Sequence, residues 1–438
     1  MIATTFEEVH SEEWVATYIS DPTNELVIFR LIIPWAEIIK HLGVFYHSSK
    51  GAMGKSIRMM TAILLLSRLR SLSDRKVIAF IKENPYMQYF CNVPPENLHT
   101  FLHPSSLCVF RSRLGVKGID IIESIGFQQL RKAGAIENDA ALIDSSVLEN
   151  NIIYPNDVRL IFSAFKKMNL WAKNSEVPLW WKQQEIKKLW REYSMDKKAS
   201  RRLYLIRFYL LFSPVLEQFK KQAQESDILV RAQAEYLIGL LSLLEEQTLE
   251  KMKGTIHIEN RLVSLDELDA RPIKKGKAFP NCEFGTTNEM IFNRQGFMVT
   301  NEILIGHPSD KTLYQSSLDL YIDRMKAVPE TSVTDGNYRS AKNLKYRPDG
   351  LRYVFLGRST DVPESKREFC QKARSATEGF IAVAKNIRGF KKSLYRRLKG
   401  DKIWATLCQM TYNLKKFLQL YREEAYDESV LIKLGLLD

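Results

Sequence analysis

The segment ALIDSSVLENNIIYPND, residues 141–157, joins an apolar run to a carboxylate. The run is typical of a buried strand, and it meets an acidic side chain at Asp144. Tyr154-Pro155 then ends the strand-like pattern. A carboxylate at the end of a buried strand loses hydration free energy unless a partner compensates its charge. The segment therefore predicts a strand that delivers Asp144 to a site with a cationic partner.

The patterns on either side of this segment fall into blocks. Helical spacing precedes it, almost continuous helix follows it, and strands alternating with helices come last. Two separate domains are the simpler alternative, but this order favours an α/β core interrupted by a helical insertion. The predicted layout is a lead-in over 1–54, an all-helical domain over 55–135, a core over 136–155 and 255–425, the insertion over 156–254, and a tail over 426–438.

Local signals place several element boundaries. Ser73 and Asn156 are candidate helix N-caps, and Gly115 is a candidate helix stop. Alternating patterns predict strands over 255–264, 283–293, 296–307 and 331–335.

The charge balance favours a polyanionic partner. Lys and Arg total 64 against 51 for Asp and Glu, which gives a net charge of +13. Nucleic acid is the first expectation and an anionic membrane surface the second, while a merely basic protein is the alternative. Arginines are spread through the N-terminal helical block, where they indicate either a DNA-binding or dimerisation module or an ordinary solvated surface: Arg58, Arg68, Arg70, Arg111 and Arg113.

Other function classes find little support in the sequence. The five cysteines form no CxxC pair and the seven histidines form no HExxH, which argues against a zinc site and fits a reducing cytosol. The most apolar run, residues 203–216, is too short and too polar in its middle to span a bilayer. The N-terminus has no signal-peptide pattern.

Mg²⁺ is one way to compensate a carboxylate at a strand end, since it binds carboxylate and phosphate oxygens. Asp335 also ends a predicted strand, and the helix predicted over 367–390 could add Glu378. On that helix Arg374, Glu378 and Lys385 share one polar stripe. An ordinary solvated helix face with i,i+4 ion pairs is the alternative for this stripe.

Six segments together resemble one protein family. They occur at 71–91 (SLSDRKVIAFIKENPYMQYFC), 142–157 (LIDSSVLENNIIYPND), 271–292 (RPIKKGKAFPNCEFGTTNEMIF), 334–343 (TDGNYRSAKN), 374–400 (RSATEGFIAVAKNIRGFKKSLYRRLKG) and 412–417 (YNLKKF). In this order and spacing they resemble bacterial insertion-sequence transposases of the DDE type. That resemblance, over roughly residues 52–420, implies an RNase H-like mixed-sheet catalytic core after a helical N-terminal domain.

The resemblance also implies a site and an activity. Asp144, Asp335 and Glu378 would be the metal-binding triad, holding two Mg²⁺ ions for which Mn²⁺ is expected to substitute. The chain would bind the terminal inverted repeats of its element, cleave the strand there, and join it to target DNA. A homodimer in the synaptic complex and a place in the bacterial cytoplasm at the nucleoid, with no membrane, are the further expectations.

Cationic residues around the glutamate would contact DNA phosphates. The family pattern of tyrosine, arginine, glutamate and lysine is met at Arg374, Glu378 and Lys385, but Gln371 stands at the tyrosine position. The basic run after the helix suits phosphates, with Phe390 and Tyr395 as rings for stacking on bases, or else is a solvated loop. Its candidate DNA-binding residues are Lys391, Lys392, Arg396 and Arg397.

Several other residues complete the prediction. Tyr338 and Asn413 are expected in supporting roles. Tyr338 ends the segment Asp335-Gly336-Asn337-Tyr338, which resembles the family's second aspartate motif, Asp-x-Gly-Tyr, with the glycine one position earlier. Three other carboxylates compete with the triad for a catalytic role: Glu149, Asp157 and Asp310. Packing or surface roles are expected for His257 and His307, and mostly core roles for Trp171, Trp180, Trp181 and Trp190, one of which could instead stack on a base.

Two other functions stay open beside a transposase. One is a DNA nuclease on the same fold that cleaves without joining strands. The other is a non-catalytic DNA-binding protein derived from a transposase.

Overall fold

The structure, a computed structural model, describes residues 8–47, 54–196, 200–274 and 282–437. The chain divides into two compact units. Unit one consists of Met1–Glu149, Thr287–Leu304 and Pro308–Asp438, and unit two of Asn150–Thr286 and Ile305–His307. Part of the predicted basic segment, residues 275–281, lies outside the described residues.

The N-terminal part of unit one is helical, as predicted. Its helices are α1 (Glu12–Tyr18), α2 (Glu25–Ile32), α3 (Trp35–Leu42), α4 (Ile57–Leu69), α5 (Asp74–Glu83), α6 (Pro85–Cys91) and α7 (Pro104–Ala133). Ser73 caps α5, because its side chain accepts a hydrogen bond from the Lys76 N–H. The predicted stop at Gly115 is a break within α7: its φ of 60° and ψ of −162° interrupt the helix, which then resumes. The first three helices lie in the segment that the sequence assigned to a lead-in.

A mixed sheet follows these helices. The strands are β1 (Ala140–Glu149), β2 (Arg271–Ile273), β3 (Glu283–Phe292), β4 (Met298–Leu304), β5 (Thr331–Thr334) and β6 (Tyr353–Leu356). In unit one they are ordered β4-β3-β1-β5-β6. β4 runs antiparallel to β3, while β5 is parallel to both β1 and β6. The chain is thus an α/β protein with a helical N-terminal region and a mixed sheet.

Several of the remaining helices of unit one pack against the sheet. The remaining helices are α12 (Asp310–Met325), α13 (Ala341–Lys345), α14 (Glu364–Ile387), α15 (Arg397–Arg422) and α16 (Glu428–Lys433). α14 packs against β1 and β5, and α15 packs against α7 and β4. The buried Asn413 ties α15 to β4, since its amide accepts from the Met298 N–H at 2.9 Å and donates to the Met298 carbonyl at 2.8 Å. Asn413 therefore has a structural role in the sheet.

Unit two is mainly helical. It contains α8 (Asp157–Asn174), α9 (Gln183–Met195), α10 (Arg201–Glu225) and α11 (Ile228–Lys253), with β2 paired antiparallel to the start of β3. Asn156 caps α8 through the Arg159 N–H, as predicted. Trp171 is buried, and the rings of Trp181 and Trp190 stack on phenylalanines, so these three serve the core. Trp180 is 79% exposed, contrary to the expectation of a core residue.

The strand predicted over 255–264 is wrong. No strand is assigned to these residues, all of which the structure describes. The side chain of Gln247 accepts from the Leu262 N–H at 2.8 Å and donates to the Leu262 carbonyl at 3.1 Å. Lys251 donates to the carbonyls of Thr255 and Ile256. Side chains of α11 thus satisfy backbone groups that a neighbouring strand would otherwise bind.

None of the helices in the described part of the chain combines the length and apolar character needed to cross a bilayer.

Candidate active site

Two predicted carboxylates lie on or just after two paired parallel strands. The register of β1 and β5 pairs Ala140 with Thr331 and Leu142 with Val333. Continued two residues past these pairs, the same register would align Asp144 with Asp335, which follows the end of β5. Asp144 is half-buried, and one of its carboxylate oxygens accepts from the Ser145 N–H at 2.6 Å. The two aspartates therefore share one edge of the sheet core, although they are about 190 residues apart in sequence.

The strand that carries Asp144 is longer than predicted. We expected it to end at Asp144, but β1 continues to Glu149. What ends near Asp144 is its partner: β5 stops at Thr334, one residue before Asp335. Beyond that point β1 gains a new neighbour, because the Glu149 N–H donates to the Lys391 carbonyl and the Ser393 N–H donates to the Glu149 carbonyl. The backbone of Glu149, one of the competing carboxylates, thus hydrogen-bonds with the backbone of the basic run that follows residue 390.

The Asp335 carboxylate is held by its own turn. It accepts from the Asn337 N–H at 2.8 Å and from the Asn337 side-chain amide at 3.0 Å, capping a single turn over Gly336–Tyr338. Gly357, just after β6, packs closely against this turn with a φ of 80°. A Cβ atom at Gly357 would lie only 2.9 Å from the carbonyl carbon of Asp335. Glycine at 357 thus lets the Asp335 backbone approach β6.

A buried glutamate that sequence reasoning missed anchors the same turn. Glu289, in β3, is 1% exposed, and it accepts from the Tyr338 hydroxyl at 2.9–3.0 Å and the Ser317 hydroxyl at 3.0 Å. Burial raises the pKa of Glu289, the two hydrogen bonds lower it and the charges of Asp310 and Asp144 raise it, with a net pKa of about 8. Burial likewise keeps the pKa of the Tyr338 hydroxyl high, so it stays a donor. The predicted supporting role of Tyr338 thus takes the form of a tie between the Asp335 turn and β3.

The signal for Glu289 was visible in the sequence. It is an acidic residue inside the strand-like run TTNEMIF, the same kind of interruption that drew attention to Asp144. Of the competing carboxylates, Asp310 is nearest to this group, since it accepts from the Ser145 hydroxyl at 3.2 Å. Asp157 is elsewhere, in unit two, paired with Arg261. His257 and His307 are exposed, as expected for surface residues.

Glu378 lies on a helix that packs against both aspartate-bearing strands, but its side chain is solvated. α14 buries Cys370, Ala373, Thr377 and Ala384, while the Glu378 side chain is 68% exposed. It forms an ion pair with Arg374 at 3.7 Å, as the i,i+4 alternative proposed. Across the described residues, no three acidic, histidine or cysteine side chains form a preformed metal-ligand set. Glu378 thus lies on a helix that packs against β1 and β5, with its side chain directed to solvent and paired with Arg374.

The basic run after α14 presents cations but not the predicted rings. Lys391, Arg396 and Arg397 are exposed, while Lys385 and Lys392 are half-buried. Phe390 is only 1% exposed, and the Tyr395 ring packs against Trp404 at 5.1 Å. The expectation that Phe390 and Tyr395 stack on bases is therefore wrong, because both rings serve the core.

The N-terminal arginines are engaged within the protein. Arg58 is 2% exposed, lies over the Trp35 ring and donates to the Phe90 carbonyl, and burial lowers its pKa. The other four pair with acidic residues or lie over rings: Arg68 on Trp404, Arg70 with Glu25, Arg111 with Asp74 and Arg113 on Tyr46. Arg58 is thus buried, contrary to both a DNA contact and a solvated surface, whereas Arg70 and Arg113 remain exposed.

Comparison with known proteins bears on the N-terminal region. Residues 15–113 match the family model described as a transposase domain (DUF772), which ends just before the break of α7 at Gly115. A stretch of 158 residues is 27% identical to the uncharacterized protein ORF8 in the nfe locus of Rhizobium meliloti, covering 35% of this chain and 76% of that protein. No solved structure matches. The N-terminal helical region is therefore similar to a transposase domain.

Replacing Gly357 with alanine should destabilise the protein. The new methyl group would meet the backbone of the Asp335 turn at a φ that alanine rarely adopts, a loss of about 2–4 kcal/mol in the free energy of unfolding. Urea denaturation measures this change. Gly239→Ala, within α11 and with no atom near the added Cβ, is the matched control and should be neutral or slightly stabilising. Equal stability of the two variants would contradict the close packing at Gly357.

Glu289→Gln should flatten the dependence of stability on pH. The folded protein keeps the Glu289 proton up to about pH 8, whereas an ordinary glutamate loses it near pH 4.5. Stability should therefore fall as pH rises through this window, because the folded state binds more protons than the unfolded chain. Urea denaturation at pH 5, 6.5 and 8 should show a smaller fall for the glutamine variant. Parallel curves would show that Glu289 is not protonated in the folded protein.

Proposed function

We propose that this protein is a DDE-type DNA transposase with an RNase H-like catalytic core. The observation that supports the proposal is the parallel pairing of β1 with β5, whose register, continued by two residues, would set Asp144 beside Asp335, in a chain whose N-terminal region matches a transposase domain. Two strand-borne aspartates on neighbouring parallel strands are a suitable base for metal-dependent phosphoryl transfer.

The donor set fits magnesium. Asp144 and Asp335 offer only oxygen ligands, which Mg²⁺ prefers, and Mn²⁺ is an expected substitute. Two such ions, once bound by these aspartates and Glu378, would activate the attacking oxygen and stabilise the leaving oxygen of a DNA phosphodiester. Asp144 and Asp310 both raise the pKa of Glu289, and Asp310 accepts from the Ser145 hydroxyl next to Asp144, an accumulation of acidic groups that a cation would relieve.

Glu378 is proposed as the third ligand. α14 packs against β1 and β5, so the helix already approaches the strands that carry the two aspartates. The exposed ion pair with Arg374 is worth only about 0.3–0.5 kcal/mol, too little to hold the side chain away from a cation. Glu378 is thus expected to rotate toward the aspartates when metal and DNA bind, releasing Arg374 for a phosphate.

DNA contacts are proposed for the cations that flank the glutamate. Lys391 and Lys392 belong to the segment whose backbone pairs with Glu149, so they are fixed to the strand that carries Asp144. Arg374 and Lys385 lie on α14, Arg397 begins α15, and Arg396 is the residue just before it. They would bind the phosphates of double-stranded DNA, both the terminal inverted repeats and the target. Pairing of two element ends calls for a homodimer in the assembled complex.

Asp144→Asn should abolish Mg²⁺-dependent cleavage and joining of DNA that carries the element ends. The substitution keeps the side-chain size but removes the charge of a metal ligand. Because removal of a residue that only supports a ligand costs roughly 10–100-fold in activity, we expect a larger loss of activity here. A strand-transfer assay with labelled ends measures both steps. Asp323→Asn, at an exposed acid on α12, is the control and should retain activity.

Three outcomes of this assay separate the functions. Joining that depends on Asp144 supports the transposase. Cleavage without joining indicates a nuclease, and binding without either reaction in the wild-type protein indicates a non-catalytic DNA-binding protein.

A further inference from the structure

A cavity of about 360 Å³ lies within unit two. Its wall combines the junction after β1, residues 154–158, with the start of α10, the end of α11 and the segment 261–263. Small-molecule sites in proteins typically measure about 300–1,000 Å³. The volume therefore suits one nucleotide and excludes a base-paired duplex.

The cavity is strongly basic. Arg201, Arg202, Lys251 and Arg261 line it, and among the described lining residues Asp157 is the one acid. Asp157 accepts from Arg261 through both oxygens, at 2.9 and 3.0 Å, so the lining keeps a net charge of about +3 at neutral pH. Burial and the nearby charge of Arg261 both lower the pKa of Lys251. An anion in the cavity would relieve this crowding of positive charge.

An aromatic ring is available at the same place. Tyr154 is 71% exposed, and its ring meets the Phe284 ring edge-on, with the centroids 5.4 Å apart. The rings of Tyr154, Tyr193 and Phe284 all line the cavity. An exposed ring beside cations is the combination that binds a nucleotide, since the ring stacks on the base while the cations bind the phosphate.

We propose that this cavity binds one unpaired nucleotide of a DNA strand, with its base against Tyr154 and its phosphate near Arg201 and Arg202. A DNA strand is favoured over a free nucleotide because both arginines are exposed at the start of α10, where they can follow a strand past the cavity. The net charge of +13 points the same way. The choice of DNA rests on the proposed function, whereas the nucleotide chemistry of the cavity does not.

The test measures binding of fluorescent oligonucleotides by anisotropy, with the full-length protein and EDTA to prevent any reaction. The probes are a blunt duplex and the same duplex with a single-stranded tail. Tyr154→Ala and Arg201→Ala should each weaken binding of the tailed duplex by about tenfold, and binding of the blunt duplex much less. Tyr236→Ala and Lys221→Ala change an exposed tyrosine and an exposed lysine of unit two outside the cavity, and they should bind like wild type.

Competition by free deoxyadenosine monophosphate distinguishes the two sources of nucleotide. The proposal expects little displacement of the tailed duplex by the free nucleotide. Displacement at micromolar concentration that requires Tyr154, together with unchanged DNA affinity of the Tyr154 variant, would assign the cavity to a free nucleotide and overturn the proposal. Equal losses with both duplexes, or none in either cavity variant, would also overturn it.

The outcome is separable from that of the strand-transfer assay. Because EDTA excludes metal, loss of joining activity leaves this measurement intact. Selective loss of tailed-duplex binding in a protein that neither cleaves nor joins DNA would retain the cavity and reject the transposase. Joining activity with no effect of the Tyr154 and Arg201 variants on binding would retain the transposase and reject the cavity proposal.

Discussion

The pairing of β1 with β5 is the constraint on which the rest of the site depends. Parallel strands cannot be joined by a short turn, so the chain needs a long connection between them. Here the whole of unit two and several elements of unit one lie between Asp144 and Asp335. The register of these strands pairs Leu142 with Val333, and continued by two residues it would align Asp144 with Asp335.

The aspartate pair is supported by groups that carry little charge themselves. Because burial raises the pKa of Glu289, this residue holds Tyr338 at the end of the Asp335 turn without adding another full negative charge. Gly357 holds the other side of that turn by its lack of a side chain. A buried carboxyl group that stays neutral thus positions its neighbours at a smaller desolvation cost than an ionised one.

Local patterns in the sequence predicted the helices, most strands and the caps at Ser73 and Asn156, because these depend on neighbouring residues. Long-range contacts set what the sequence did not reveal. Arg58 is buried by Trp35, more than twenty residues earlier, so it resembled a surface cation. The 255–264 segment has a strand-like pattern, yet Gln247 takes its backbone hydrogen bonds. In the site, Asp144 and Asp335 could be predicted because each interrupts or follows a strand-like run. The position of Glu289 could not, because it depends on β3 lying beside Tyr338.

The claim that Asp144 and Asp335 hold a shared divalent cation is tested most directly by crystals grown with Mn²⁺. Anomalous diffraction locates the manganese without any assumption about activity. The account predicts a peak within coordination distance, about 2.0–2.3 Å, of carboxylate oxygens from both aspartates. A Glu378 side chain turned toward them would complete the set. Ordered carboxylates with no peak between them, or a peak held by other residues alone, would contradict the account.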